Sequence, residues 1–257
     1  MAGLSPVRVV GSFVVITGAS SGIGRALAFA FARRGCRLLL VGRDPARLAE
    51  VARRTSGQSA VVDLEDPART DEFARELAEL DPAPDLLVNN AGVGHVAPAT
   101  VYDDATFARM SAVNLRAPMA LSRAVIPGML AKGGGHIGFV TSIAALLGVP
   151  NESGYAATKA GLHAYARSLR EELATTGVGV SIVAPGIVDT EFFERRGAPY
   201  ARRFPRPLPP ERVAGALIRA IERDRAELIL PRWLRVAVGL QALAPTLYAR
   251  LAARQLT

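Results

Sequence analysis

The chain has 257 residues, 50% of them hydrophobic and 21% charged, a balance that buries a sizeable core and excludes a largely disordered chain. Its single cysteine, Cys36, excludes a disulfide framework and a cysteine zinc site, and the scattered His95, His136 and His163 give no metal-ligand spacing, so no metal is expected. The formal charge is +8, with 13 basic against 7 acidic side chains in residues 187–257 and 18 against 16 in residues 1–186. A basic last quarter suits nucleic acid, an anionic membrane or an acidic substrate, and is also what an arginine- and alanine-rich composition gives without any partner.

The apolar stretch Val9–Ile16 is short and runs into T-G-A-S, so it reads as a core strand rather than a targeting signal. No uncharged apolar run reaches about 18 residues, so a simple transmembrane helix is not expected and a cytoplasmic protein is. Apolar runs then alternate with helical patterns. Strands are predicted at Phe13–Thr17, Arg37–Val41, Ser59–Val62, Asp85–Val88, His136–Thr141, Gly179–Val183 and Glu227–Leu230. Helices are predicted between them at 23–34, 45–54, 67–80, 104–131, 154–175 and 210–223. Continuous apolar strands separated by helices predict an α/β fold with a doubly wound parallel sheet. The Pro- and Arg-rich stretch 186–210 reads as a loop inserted near a site. Two short helices, at about 233–243 and 246–254, follow the last strand.

The first strand ends in T-G-A-S-S-G-I-G, with Gly18, Gly22 and Gly24 in the turn. A turn that approaches a pyrophosphate needs residues without a Cβ, and the helix it opens offers free N–H groups. The spacing differs from G-x-G-x-x-G, and a tight packing turn is the alternative. The second strand ends in Gly42–Arg43, where a side chain that reads the ribose is expected. A guanidinium there suits a 2′-phosphate, which favours NADP(H) over NAD(H). Asp44 fits an N-cap for the helix that begins at Pro45.

Tyr155 and Lys159 stand four apart in a helical pattern and therefore share a face. An ammonium beside a phenol favours the phenolate, which would lower a pKa of about 10 toward neutrality. Lys159 is one of only two lysines in the chain. Ser142 ends the strand H-I-G-F-V-T-S, and N-N-A-G, Asn89 to Gly92, ends another. Ligands of doubly wound sheets bind beyond such strand ends. Asn114 lies in a helical pattern one turn before Pro118, and its amide has the option of bonding within the fold.

This set, T-G-A-S-S-G-I-G, Asp63, N-N-A-G, Asn114, Ser142, Y-A-A-T-K and A-P-G-I-V-D-T, resembles the classical short-chain dehydrogenase/reductase family in register over about residues 10–190. The resemblance implies a seven-stranded Rossmann-type sheet in the order 3-2-1-4-5-6-7 with NAD(P) in the carboxyl-end crevice. It implies a catalytic set of Asn114, Ser142, Tyr155 and Lys159, in which Ser142 and Tyr155 hold the carbonyl oxygen, Tyr155 moves the proton, Lys159 lowers its pKa, and Asn114 holds a water. It implies a cofactor site built from Gly18, Ser20, Ser21, Gly22, Ile23, Gly24, Arg43, Asp63, Leu64, Asn90, Ala91, Gly92, Tyr155, Lys159, Pro185, Gly186, Ile187 and Thr190. Asp63 would bind the adenine amino group, and Ile187 and Thr190 would lie near the nicotinamide carboxamide. A homodimer or homotetramer is a family expectation.

In relatives the stretch after Thr190 covers the substrate, here as a lid of about residues 187–210. Phe192, Phe193, Tyr200 and Phe204 would form an apolar wall, and His95 and Ser142 are further substrate candidates. Arg195, Arg196, Arg202, Arg203 and Arg206 read either as a solvated loop or as a dock for an anionic acyl carrier. Residues 232–257 form an amphipathic extension beyond the domain at 1–231. Trp233, Tyr248 and the flanking arginines suit a membrane interface, with docking on the body or on another subunit as the alternative. The expected activity is NADP(H)-dependent interconversion of an apolar or acyl-linked carbonyl and its alcohol. A weakly catalytic NAD(P)-binding scaffold is the second reading. No nucleic-acid motif accompanies the charge, so a nucleic-acid role is not expected.

Overall fold

Short apolar runs alternating with amphipathic helices build the molecule, and the computed structural model describes residues 9–200 and 205–253. The strands are β1 (Phe13–Thr17), β2 (Arg37–Gly42), β3 (Gln58–Val61), β4 (Leu86–Asn89), β5 (Gly135–Val140), β6 (Val178–Pro185) and β7 (Glu227–Leu230). The helices are α1 (Gly22–Ala32), α2 (Pro45–Thr55), α3 (Pro67–Ala78), α4 (Asp104–Ser111), α5 (Ala117–Ala131), α6 (Ser153–Glu172), α7 (Phe192–Arg195), α8 (Pro210–Glu222), α9 (Leu234–Leu243) and α10 (Pro245–Ala253). All the strands are parallel, in the order β3-β2-β1-β4-β5-β6-β7. This is the doubly wound, Rossmann-type sheet that the alternation and the resemblance imply.

The strand period of two divides the core. In β1, Val14 and Ile16 face one layer with Leu27 and Phe31 of α1, Leu48 of α2 and Leu217 and Ile221 of α8. Val15 faces the other, with Phe73 of α3, Leu121 of α5 and Leu162 of α6. Both layers are buried, which is why the strands carry so few polar residues. Asp44 caps α2 as expected, its carboxylate accepting from the Arg47 N–H at 3.0 Å with Pro45 at the first helical position. Asp66 does the same for α3 through Ala68 at 2.8 Å.

One predicted helix is not uniform. The pattern at 104–131 divides into α4 and α5, joined by a wide π turn at Ala112–Arg116. Pro118 has no N–H to give the Asn114 carbonyl, so the regular α ladder fails at that point. Beyond β7 the chain continues as the hairpin of α9 and α10, and no residue from 232 to 251 is buried. Residues 201–204, with Arg202, Arg203 and Phe204 of the expected lid, lie outside the described residues.

Candidate active site

The carboxyl ends of β1 and β4 are stitched together by side chains. Thr17 Oγ1 accepts the N–H groups of Asn90 and Ala91, each at 3.0 Å. Asn90 Nδ2 in turn donates to the Thr17 carbonyl at 2.8 Å. Asn90 thus braces the glycine turn. Gly18 has φ +65° there, and a Cβ on it would come 2.9 Å from Ala91 Cα. A Cβ on Gly24 would overlap the Gly18 carbonyl oxygen. Ser21 precedes α1 and makes no side-chain cap bond, so no side-chain cap takes up the first amides of the helix.

A cavity of about 690 Å³ opens along these strand ends. It runs from Arg43 and Asp63–Glu65, past Ser20, Ser21, Gly22 and Ile23, to Ser142, Tyr155 and Lys159. Leu64, Ala91, Gly92, Pro185, Gly186, Ile187 and Thr190 also line it, so nearly every expected cofactor residue meets one space. Gly24 lies behind the turn as its packing glycine. Backbone without Cβ atoms, uncapped helix amides and a long cleft fit a dinucleotide. His95 is not brought in: it lies against Tyr102, ring centroids 6.5 Å apart, and is absent from the cavity wall.

The reactive end is deeply buried. α6 carries Tyr155 and Lys159 one turn apart, and both are almost inaccessible. Ser142 follows β5, its Oγ accepting the Ala144 N–H at 3.1 Å. Lys159 Nζ donates to the Val140 carbonyl at 3.2 Å. Burial pushes the Tyr155 phenol up to about 12, opposed chiefly by hydrogen bonding to Ser142. Burial likewise brings the Lys159 ammonium down to about 8. The net direction for the phenol is therefore upward, set by loss of water, and the chief group opposing it is Ser142 rather than Lys159. Asn114 Nδ2 donates to the Val93 carbonyl at 2.8 Å and to Thr158 Oγ1 at 3.0 Å, while its Oδ1 accepts the Val93 N–H at 2.9 Å. Its amide is spent on the fold, and Pro118 leaves its carbonyl without the α-helical donor.

The lid closes by charge as well as by rings. The Phe192 ring centroid lies 5.6 Å from that of Tyr155, and Phe193 bridges Phe192 and Tyr200 at 5.8 Å from each. Arg196 pairs with Glu152 at 2.6 Å, each side chain 12% exposed. Arg195 donates to Ser21 Oγ at 2.8 Å, and Arg47 of α2 pairs with Glu191 at 2.6 Å. Two of the five lid arginines are thus committed inside the chain. Arg43 pairs with Glu65 at the cavity mouth. Sequence reasoning overlooked Glu65 and Glu152. The available signal for Glu65 was that both it and Arg43 follow neighbouring parallel strands, β3 and β2.

The family model described as short chain dehydrogenase matches residues 12–201. A Drosophila melanogaster protein, "Dehydrogenase/reductase SDR family protein 7-like", is 30% identical, covering 94% of this chain and 79% of its own. An uncharacterized oxidoreductase of Staphylococcus saprophyticus is 35% identical over 72% of this chain and 81% of its own. Among solved structures, a short-chain dehydrogenase from Sphingobium yanoikuyae in complex with NADPH superposes with a TM-score of 0.82 at 30% identity, covering 91% of this chain and 95% of that one. A family protein from Burkholderia phymatum in complex with NAD gives 0.81 at 26% identity, covering 94% and 95%. With the sheet order, the glycine turn and the buried Ser–Tyr–Lys group, these matches place the chain in the short-chain dehydrogenase/reductase family, as an NAD(P)-dependent oxidoreductase.

Proposed function

We propose that this protein interconverts an apolar carbonyl compound and its secondary alcohol, with NADP(H) preferred over NAD(H). The observation that carries the reading is the meeting of Ser142, Tyr155 and Lys159 at the buried end of one cavity, beneath the Phe192 ring. A nicotinamide cofactor, when bound, supplies or accepts the hydride at the carbonyl carbon. Ser142 orients the carbonyl oxygen through its hydroxyl. Tyr155 gives that oxygen its proton in reduction and takes it back in oxidation. Lys159 supplies positive charge beside the phenol and supports binding of the cofactor ribose. Asn114 fixes the Val93 backbone and offers its carbonyl to a water leading toward Lys159. The glycine turn and α1 hold the pyrophosphate, and Asp63 meets the adenine.

Arg43 supports the NADP(H) preference, since a 2′-phosphate competes with Glu65 for its guanidinium. Val149, Pro150, Phe192, Phe193 and Tyr200 give the substrate end an apolar wall, which favours a hydrocarbon-rich carbonyl over a sugar. The test follows NADPH and NADH oxidation over a panel of aldehydes, ketones and β-ketoacyl thioesters. Tyr155→Phe should lose roughly 10²–10⁴-fold in turnover while keeping cofactor affinity. Arg43→Ala should erase the preference for NADPH. Turnover unchanged in Tyr155→Phe refutes the proton donor, and a clear preference for NADH refutes the role of Arg43.

A further inference from the structure

The last two helices form a layer that the body does not bury. Among the described residues, none from 232 to 251 is buried, although most of that stretch is apolar. Val236 is 76% exposed and Leu243 is 89% exposed, values foreign to a core helix. Val236 and Leu243 recur at helical spacing along α9, with Trp233 just before its first turn, and Leu247 and Leu251 recur along α10. The hairpin is seated on the body by its inner side. Leu234 Cδ1 lies 2.9 Å from where a Cβ on Gly186 would stand, beside the cavity. Its outer stripes remain uncovered, and an exposed apolar patch of this kind marks a docking surface.

Charge selects the occupant. The chain has no acidic residue after Glu227, while Arg232, Arg235, Arg250 and Arg254 follow it. Arg232, Arg235 and Arg250 form no ion pair among the described residues. A two-fold contact between copies would set this basic patch against itself with no carboxylate to relieve it. Among the described residues, no helix is long and apolar enough to cross a membrane. Exposed Leu, Val and Trp flanked by arginines instead match a helix lying in the plane of a lipid interface.

We infer that the α9–α10 hairpin docks this protein on an anionic lipid surface, its apolar stripes entering the headgroup boundary and its arginines meeting lipid phosphates. The hairpin begins beside Gly186 in the cavity wall, so docking would hold that part of the wall close to the lipid. This surface is independent of the catalytic reading, and its test reads binding rather than turnover.

The experiment mixes the full chain with vesicles of phosphatidylcholine alone, or with part of it replaced by phosphatidylglycerol. Sedimentation measures binding, and the emission of Trp233, the sole tryptophan, reports burial at this site. The full chain is expected to sediment with anionic vesicles at least about tenfold more strongly than with neutral ones, to shift its emission to the blue, and to detach in high salt. Arg232→Glu with Arg235→Glu should weaken binding about tenfold or more. Leu243→Asn with Leu247→Asn should abolish the blue shift while the melting temperature holds, because both side chains are exposed. Absence of sedimentation with either vesicle overturns the inference, as does equal binding to both. A concentration-dependent dimer that Leu243→Asn with Leu247→Asn dissociates, without vesicle binding, also overturns it and makes the face an interface between copies.

Discussion

Tyr155 and Lys159 show how burial governs two titrating groups within one turn of helix. Spacing alone led to a phenol drawn toward neutrality by an ammonium. Burial instead holds the phenol at about 12 and the amine at about 8. The proposed chemistry then has a direction in pH. In reduction the phenol must be protonated, and it is so throughout the neutral range. The ammonium must be charged, and it loses its proton as pH rises through about 8. Reduction should therefore stay level between about pH 6 and 7 and fall above about 8, and Lys159→Met should be slow and lack that fall. Initial rates of NADPH oxidation across pH, at saturating substrate, read this. A rate that climbs steadily to pH 10 contradicts it. The residue types and their spacing were legible in the sequence, whereas their titration was not, because it depends on how completely Phe192 and the strand ends exclude water.

At the scale of elements, the strands were legible because each is a short continuous apolar run with helices on both sides, and the predicted boundaries fall within about two residues of those observed. The π turn between α4 and α5 was not, because it arises from Pro118 and from Asn114 bonding to Val93 and Thr158, partners distant in sequence. The lid's ion pairs were hidden for the same reason: Arg196 finds Glu152, and Arg47 finds Glu191, only after the chain has folded. The glycine turn was legible because its requirement is local. Gly24→Ala puts a methyl group against the Gly18 carbonyl, and backbone cannot yield as a flexible side chain does. That substitution should lower stability by about 1–3 kcal/mol and weaken NADPH binding more than tenfold. Thermal melts with and without NADPH check both parts, and an alanine variant that melts and binds like the parent would show that the turn has slack.

For the whole molecule, the acid side of the stability curve follows from a buried histidine between two central strands. His136 of β5 lies 2.9 Å from Ser181 Oγ of β6, and that hydroxyl donates to the Arg225 carbonyl at 2.7 Å. Ser181 therefore accepts from His136 Nε2–H, and Nδ1 is left buried without a hydrogen-bond partner. Burial lowers the His136 pKa from 6.5 to about 4, with Asp224 raising it and Arg170 lowering it by smaller amounts. Between those values the unfolded chain binds a proton that the folded chain refuses, so stability is full above about pH 6.5 and is lost as pH falls toward 4. Glu227 extends the loss below that. His163 and then Arg167 hold its carboxyl down to about 2, and its contribution disappears between about 4.5 and 2. His163 Nε2 approaches Glu227 at 3.4 Å without an aligned hydrogen bond, while Arg167 bonds the same oxygen at 2.6 Å. Lys159 titrates at about 8 and Tyr155 at about 12 in the folded chain, so neither disturbs the acid window. Urea unfolding at pH 7 and 4.5 should therefore show a drop of about 2–3 kcal/mol from His136. A ring titration near 6.5 for His136 in the folded protein, or an unfolding free energy unchanged between those two pH values, would mean that water reaches β5 and that the centre of the sheet is less dry than its packing requires.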